Sequence, residues 1–317
     1  MTDSILIPTL ADAMVRVTEI TAIAASTEVG RGQEKVADQA AVDAMRTAFN
    51  AIDFQGRVVI GEGERDEAPM LYIGEEVGTG TGPAIDIALD PLEGTTLTAK
   101  AMANALAVLA IAPRGGLLHA PDTYMDKIAI GPGYAPGIVS LEKSPSDNVR
   151  ALAEAKGVAP EAITACVLDR PRHADIIADI RSVGARIKMI TDGDVAGVIN
   201  TTDPSTGVDL YLGSGGAPEG VLAAAALKCV GGQMQGKLIF RNDEERRRAE
   251  RVGVTDFNKT YDLHDLASGE TVFCATGVTT GELLEGVRTV GDKVHTETLV
   301  MTSSDGMVRH IRSARKA

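Results

Sequence analysis

Three acidic loops in this chain each follow a short apolar run. They are Gly61-Glu62-Gly63-Glu64 after VVI, Asp90-Pro91-Leu92-Glu93 after DIAL, and Gly215-Gly216-Ala217-Pro218-Glu219 after LYLG. Open α/β sheets place their sites at strand ends, and a hard cation such as Mg²⁺ takes carboxylate oxygens. Asp90 and Glu93 are close enough in sequence to share an ion across one turn. Pro91 fixes its own φ and biases Asp90 towards extended backbone. Gly94-Thr95-Thr96 follows directly. Glycine lets the backbone approach a ligand closely, and hydroxyls and amides at a helix start can cradle a phosphate. Together these parts describe metal-assisted phosphoryl transfer, in which cations neutralise the phosphate and a held water attacks in line. Taken singly, Glu62-Gly63-Glu64 is a solvated turn and DPLEGT a tight surface turn. The repetition of acidic loop after apolar strand argues for a divalent-metal site.

Further charged groups extend the picture. In residues 34–51 the apolar stripe Val42, Met45, Phe49 and Ile52, continued back one turn, lands on Asp38. A carboxylate on a core-facing stripe is costly unless paired or metal-bound, whereas in a fraying first turn it is simply solvated. Arg170-Pro171-Arg172-His173 follows TACVLD and opens a helix. The planar arginine fork donates two hydrogen bonds at once to a phosphate. Asp192-Gly193-Asp194 follows RIKMI; it can cap a helix or accept from sugar hydroxyls. The formal net charge of −13 repels nucleic acid and anionic membranes. An anionic ligand therefore needs bridging cations, and one gripped by metals at one end and arginine at the other is a bisphosphate.

The elements that must position these residues follow from hydrophobic periodicity. Helices are predicted over 9–26 and 34–51. Strands are predicted at 57–60, 84–90, 105–111 and 126–131. In 84–90, Ile85, Ile87 and Leu89 face one way and Asp86, Ala88 and Asp90 the other. The continuous apolar run 105–111 predicts a strand covered on both faces. Beyond residue 148, helices and strands alternate, the mark of an α/β sheet, and the C-terminus reads as an antiparallel hairpin around Ser304-Asp305-Gly306. The expected organisation is two sheet-containing halves, 1–140 and 141–317. Aromatics make up 3% of the 317 residues and Trp is absent, which counts against stacking platforms for single-stranded nucleic acid. Three dispersed cysteines form neither a disulfide framework nor a zinc knuckle. The opening MTDSILIPTLADAMVR lacks the signature of a signal peptide. The apolar run 105–113 is about half the roughly 20 residues of a membrane span. A cytoplasmic protein is expected.

The sequence resembles the class II fructose-1,6-bisphosphatases, within the lithium-sensitive, metal-dependent sugar and inositol phosphatase superfamily. The resemblance is carried over nearly the whole chain by GRGxxxxADQAAVDAMR (30–46), VIGEGERDEAPMLYIGE (59–75), DIALDPLEGTT (86–96), NALAVLA (104–110), APDTYMDK (120–127), RPRH (170–173), DGDVA (192–196), GGAPEGV (215–221), ATGVTTGELLEGV (275–287) and TETL (296–299). DPLEGT marks only the superfamily, whereas VIGEGERDEAPM with GGAPEG is specific to the class II branch. The resemblance implies a layered α/β/α/β/α sandwich, commonly a homodimer or homotetramer. It implies hydrolysis of the 1-phosphate of fructose 1,6-bisphosphate with Mg²⁺ or Mn²⁺, in gluconeogenesis. A close variant also accepts sedoheptulose 1,7-bisphosphate; an inositol-phosphatase-like enzyme and a non-catalytic sugar-phosphate sensor are the remaining alternatives. By resemblance, the metal carboxylates fall on Asp38, Glu62, Asp90, Glu93 and Glu219, and Thr95 activates the attacking water. Substrate contacts fall on Glu93, Gly94, Thr95, Tyr124, Arg172, His173, Asp192, Gly193, Asp194 and Gly216. The chain departs from many members at Gly32-Gln33-Glu34-Lys35, where they read Gly-Asp-Lys-Asn, and at Ala174, where they often carry Asp.

Overall fold

Two leading helices form because apolar residues recur at spacings of three and four. Ala11–Ser26 buries Met14, Val17 and Thr21, and Glu34–Phe49 buries Val42, Met45 and Phe49. The computed structural model describes residues 9–63 and 70–316. The chain then runs through β1 (Gln55–Ile60), β2 (Glu76–Val77), β3 (Ala84–Glu93) and β4 (Leu106–Pro113). It continues through β5 (Tyr124–Ile130), β6 (Thr164–Leu168), β7 (Arg186–Ile190), β8 (Leu210–Gly216), β9 (Gln233–Ile239) and β10 (Thr260–Asp262). It ends with β11 (Val272–Gly277), β12 (Arg288–Val290), β13 (Lys293–Thr302) and β14 (Met307–Lys316). This is a mixed α/β fold with two mixed sheets.

The first compact unit comprises Met1–Leu118 and Ser268–Ala317, the second His119–Ala267. The break expected near residue 140 therefore moves, because β11 inserts between β4 and β13 in the sheet that also holds β1 and β3. The last strands belong with the first ones through pairings of long sequence separation, which local periodicity does not encode. In unit 1 the sheet order is β12-β13-β11-β4-β3-β1-β2, with β14 paired to β13. Ile85, Ile87 and Leu89 pack with Met14, Val17, Met45 and Phe49, and β4 is buried from Leu106 to Ala112.

On the other side of β3, Asp86 is wholly buried. It pairs with Arg57 at 2.9 Å and Arg114 at 3.6 Å, and accepts the Gly115 amide at 2.6 Å. A buried carboxylate persists only with such partners. Asp86→Asn is expected to lower unfolding free energy by about 2–3 kcal/mol, read from the urea midpoint; an unchanged midpoint would deny Asp86 this structural role.

In unit 2 the order is β10-β9-β5-β8-β6-β7. β6 runs parallel to β7 and β8, and β5 antiparallel to β8 and β9. The start of β5 therefore lies beside the ends of β8 and β9. Among the described residues, no helix is long and apolar enough to cross a membrane.

Candidate active site

The DPLEGT segment is not a turn off the end of a strand. β3 continues through it to Glu93, and its register against β4 shifts between Asp90 and Glu93. Such a bulge re-aims side chains. Asp90 Oδ1 accepts the Leu92 amide at 3.0 Å, which closes the bulge on the carboxylate. Gly94 then turns the chain with φ +91° into the short helix Thr95–Ala99. A Cβ at Gly94 would lie 2.8 Å from Leu97 Cδ1, so both the conformation and the space call for glycine.

Asp38, Glu62 and Asp90 come from a helix, the loop after β1 and β3, and they act on one another. Burial first, then the charge of Asp90, pushes the Asp38 carboxyl up to about 6. Burial, then Asp90 and Asp38, pushes Glu62 up to about 9. Half-buried Asp38 is thus the inward carboxylate that its helical stripe predicts. Two carboxylates whose ionisation is suppressed by burial and by the charge of a third form a donor set that a divalent cation fits. Glu93 is buried at the end of β3. Glu64 and the rest of 64–69 lie outside the described residues.

The sign of the Glu62 shift gives a prediction. An acid held protonated by the fold contributes full stability below its ordinary value of 4.5 and loses it as pH rises towards about 9. In chelator, the melting temperature of the wild type should fall across that window, and Glu62→Gln should flatten the decline. Parallel profiles would mean that Glu62 is not strained.

The departure at 33–35 has a structural consequence. Glu34 Oε1 accepts Thr96 Oγ1 at 2.8 Å, and Thr98 Oγ1 donates to the Gly94 carbonyl at 3.3 Å. Among the described residues, the Thr95 hydroxyl makes no hydrogen bond to protein.

Unit 2 gathers a second set of groups at strand ends. Arg172, in the turn after β6, donates through Nε and Nη2 to the Ser214 carbonyl at 3.2 and 2.7 Å, and through Nε to Ser214 Oγ at 3.0 Å. Its guanidinium carbon lies 5.0 Å from the centre of the Tyr124 ring. His173 is placed behind this surface and is 1% exposed. Its Nε2 accepts the Ser214 amide at 2.9 Å, and its Nδ1 lies 2.8 Å from the Leu168 carbonyl. Both ring nitrogens are engaged by protein groups, and His173 braces Ser214 behind the surface that carries Arg172.

Gly193, with φ +80°, caps the helix Asp194–Ile199. Asp192 lies 3.8 Å from Arg170. Asp194 is buried against Lys127 Nζ, which also donates to the Gly216 carbonyl at 2.8 Å, and Tyr211 donates to Asp194 at 3.4 Å. Gly216 opens the helix Ala217–Val230. A Cβ on it would meet Glu219 Oε2 at 1.8 Å, so glycine here lets the glutamate fold back over its own helix start. Sequence reasoning gave no role to Lys127 or Ser214. Lys127 had a signal, as a lone cation inside the apolar strand DKIAIG.

Comparison with known proteins decides the family. The family described as bacterial fructose-1,6-bisphosphatase, glpX-encoded, matches residues 8–315. The chain belongs to that family. Membership in the glpX-type fructose-1,6-bisphosphatases makes it a phosphoric monoester hydrolase. Among curated relatives it is 46% identical over 323 residues to the D-fructose 1,6-bisphosphatase class 2/sedoheptulose 1,7-bisphosphatase of Synechococcus sp. (strain JA-3-3Ab), covering 94% of this chain and 93% of the relative. It is 45% identical over 315 residues to the protein of the same name from Prochlorococcus marinus (strain NATL1A), covering 95% and 94%.

Proposed function

We propose that this glpX-type fructose-1,6-bisphosphatase family member removes the 1-phosphate of fructose 1,6-bisphosphate, giving fructose 6-phosphate and phosphate, with Mg²⁺ or Mn²⁺ as cofactor. One observation carries the chemistry: Asp38, Glu62 and Asp90 come from three separate elements, and the charge of Asp90, after burial, raises the pKa of both Asp38 and Glu62. When bound there, a divalent cation supplies neutralisation of the phosphoryl charge and activation of water. Asp38, Glu62, Asp90 and Glu93 are the proposed holders of cations, and Glu219 joins them on the strength of GGAPEG. Glu93-Gly94-Thr95 receives the reacting phosphate, and the Thr95 hydroxyl orients the attacking water. Tyr124, Arg172, Asp192, Gly193, Asp194 and Gly216 take the sugar and the phosphate that stays. Lys127 pairs directly with Asp194 and so fixes the position of the carboxylate proposed to accept from a sugar hydroxyl.

Placement in the lithium-sensitive superfamily, a homodimer or homotetramer, a cytoplasmic location and a gluconeogenic role accompany this reading. The names of the relatives favour a second reading, in which sedoheptulose 1,7-bisphosphate is also a substrate. Phosphate release from the two bisphosphates and inositol 1-phosphate, compared by kcat/KM, separates the readings. A preference of about tenfold for the fructose compound, about 1.4 kcal/mol, supports a dedicated enzyme, and comparable values support the dual one. Preference for inositol 1-phosphate would overturn both, and no release from any substrate would leave a sugar-phosphate sensor.

A further inference from the structure

We propose that Arg241 is the second cation of an anion clamp, built with Arg172 around Tyr124, that binds the phosphate the enzyme does not hydrolyse. The proposal rests on the bisphosphatase reading above and adds a residue that reading does not use.

The topology of unit 2 brings the three residues together. Tyr124 opens β5, opposite Gly216 at the end of β8 and Ile239 at the end of β9. Arg241 follows two residues after Ile239, and Arg172 lies in the turn after β6, which pairs with β8. The guanidinium carbon of Arg241 stands 4.9 Å from the centre of the Tyr124 ring, and that of Arg172 stands 5.0 Å from the same centre. Each cation–π contact is favourable alone, but two guanidinium ions on one ring repel each other.

Each arginine is anchored separately. Arg172 hangs on Ser214. Arg241 gives its backbone amide to Glu245 Oε2 and its Nε to Oε1, both at 2.7 Å. Glu245 is 1% exposed, and Thr123 Oγ1, on the residue beside Tyr124, lies 3.1 Å from its Oε2. Burial alone would raise the Glu245 carboxyl, but hydrogen bonds from Arg241 outweigh it and hold the group below its ordinary value. A surface Arg–Glu pair four residues apart would by itself mean little. This pair instead uses a buried carboxylate to hold a guanidinium over a ring that already carries another.

The charge balance and the donors point to a phosphate. Glu245 is the carboxylate in direct contact with Arg241, Asp122 acts on it from farther off, and Arg172 is anchored on the uncharged Ser214, so the pair concentrates positive charge inside a protein of net charge −13. Among the described residues, no hydrogen bond to protein uses Nη1 of either arginine or the Tyr124 hydroxyl. Two planar forks and a phenol match the several oxygens of a phosphate dianion.

The test uses the metal-loaded full-length enzyme and compares fructose 1,6-bisphosphate with fructose 1-phosphate, which lacks the distal phosphate. Arg241→Met should raise KM for the bisphosphate by roughly 10- to 100-fold, the scale of a lost charged hydrogen bond. Its kcat should stay within about twofold, and kcat/KM for fructose 1-phosphate should not change. Arg241→Lys keeps a cation against Glu245 and should show a smaller KM rise, again confined to the bisphosphate; it carries the test if the Met variant fails to fold. Calorimetric binding of fructose 6-phosphate should weaken by the same factor in each variant. Equal losses on both substrates, or unchanged binding of fructose 6-phosphate, would overturn the clamp. A wild type that binds fructose 6-phosphate but releases no phosphate would overturn the bisphosphatase reading while the calorimetry still decides the role of Arg241.

Discussion

Asp90→Asn is expected to lower kcat for fructose 1,6-bisphosphate by roughly 10³-fold or more, equivalent to about 4 kcal/mol of lost transition-state stabilisation. It is also expected to raise the melting temperature of the chelated protein. Both effects have one cause. Asp90 is the charge that raises both Asp38 and Glu62, after burial. Neutralising it relieves a repulsion that the chelated fold must bear, and also removes a donor from the set that would hold the cation. Stability and activity should therefore move in opposite directions, as expected of a strained functional site. A structural carboxylate would behave otherwise: its loss would lower stability, as predicted for Asp86. Phosphate release and a thermal melt on the same sample measure both, and near-normal turnover by Asp90→Asn in Mg²⁺ or Mn²⁺ would remove the site assignment.

Thr95→Ala is expected to lower kcat by roughly 10²- to 10³-fold, within the range of a positioned proton-transfer group. KM and the thermal shift on adding Mn²⁺ should stay close to wild type. The local hydrogen bonding supports this division. Thr96 is bound to Glu34 and Thr98 to the Gly94 carbonyl, so the two hydroxyls that follow Thr95 in the same short helix serve the fold. The Thr95 hydroxyl stands at the left-handed turn from β3 into the helix Thr95–Ala99 and has no such duty among the described residues. A lost Mn²⁺ shift with unchanged kcat would contradict the role given to it, and Thr95→Ser should recover most of the rate because it keeps the hydroxyl.

What the sequence made legible was local. The alternation in 84–90 placed Ile85, Ile87 and Leu89 in the core, and the helical stripe brought Asp38 inward, because periods of two and 3.6 residues are written directly into the chain. What it hid depends on pairing at a distance. β11 pairs with β4 across more than 150 residues of chain, and nothing in VFCATG announces that partner. Asp86 read as one face of an alternating strand, whereas its two arginine partners come from β1 and the segment after β4. His173 read from the sequence as an ordinary helix-start histidine, with a substrate contact only by resemblance; that its ring braces Ser214 depends on β8 lying beside the turn after β6. Arg241 carried no motif; its position beside Tyr124 exists only once β9 pairs with β5.

The most direct test of the central claim, that clustered carboxylates hold a cation for phosphate ester hydrolysis, is phosphate release from fructose 1,6-bisphosphate by chelator-stripped protein titrated with Mn²⁺ or Mg²⁺. The account predicts negligible release from the stripped protein and saturable restoration by the cation in the wild type, with little restoration in Asp90→Asn. Full activity in excess chelator, or equal restoration in the Asp90→Asn variant, would contradict it.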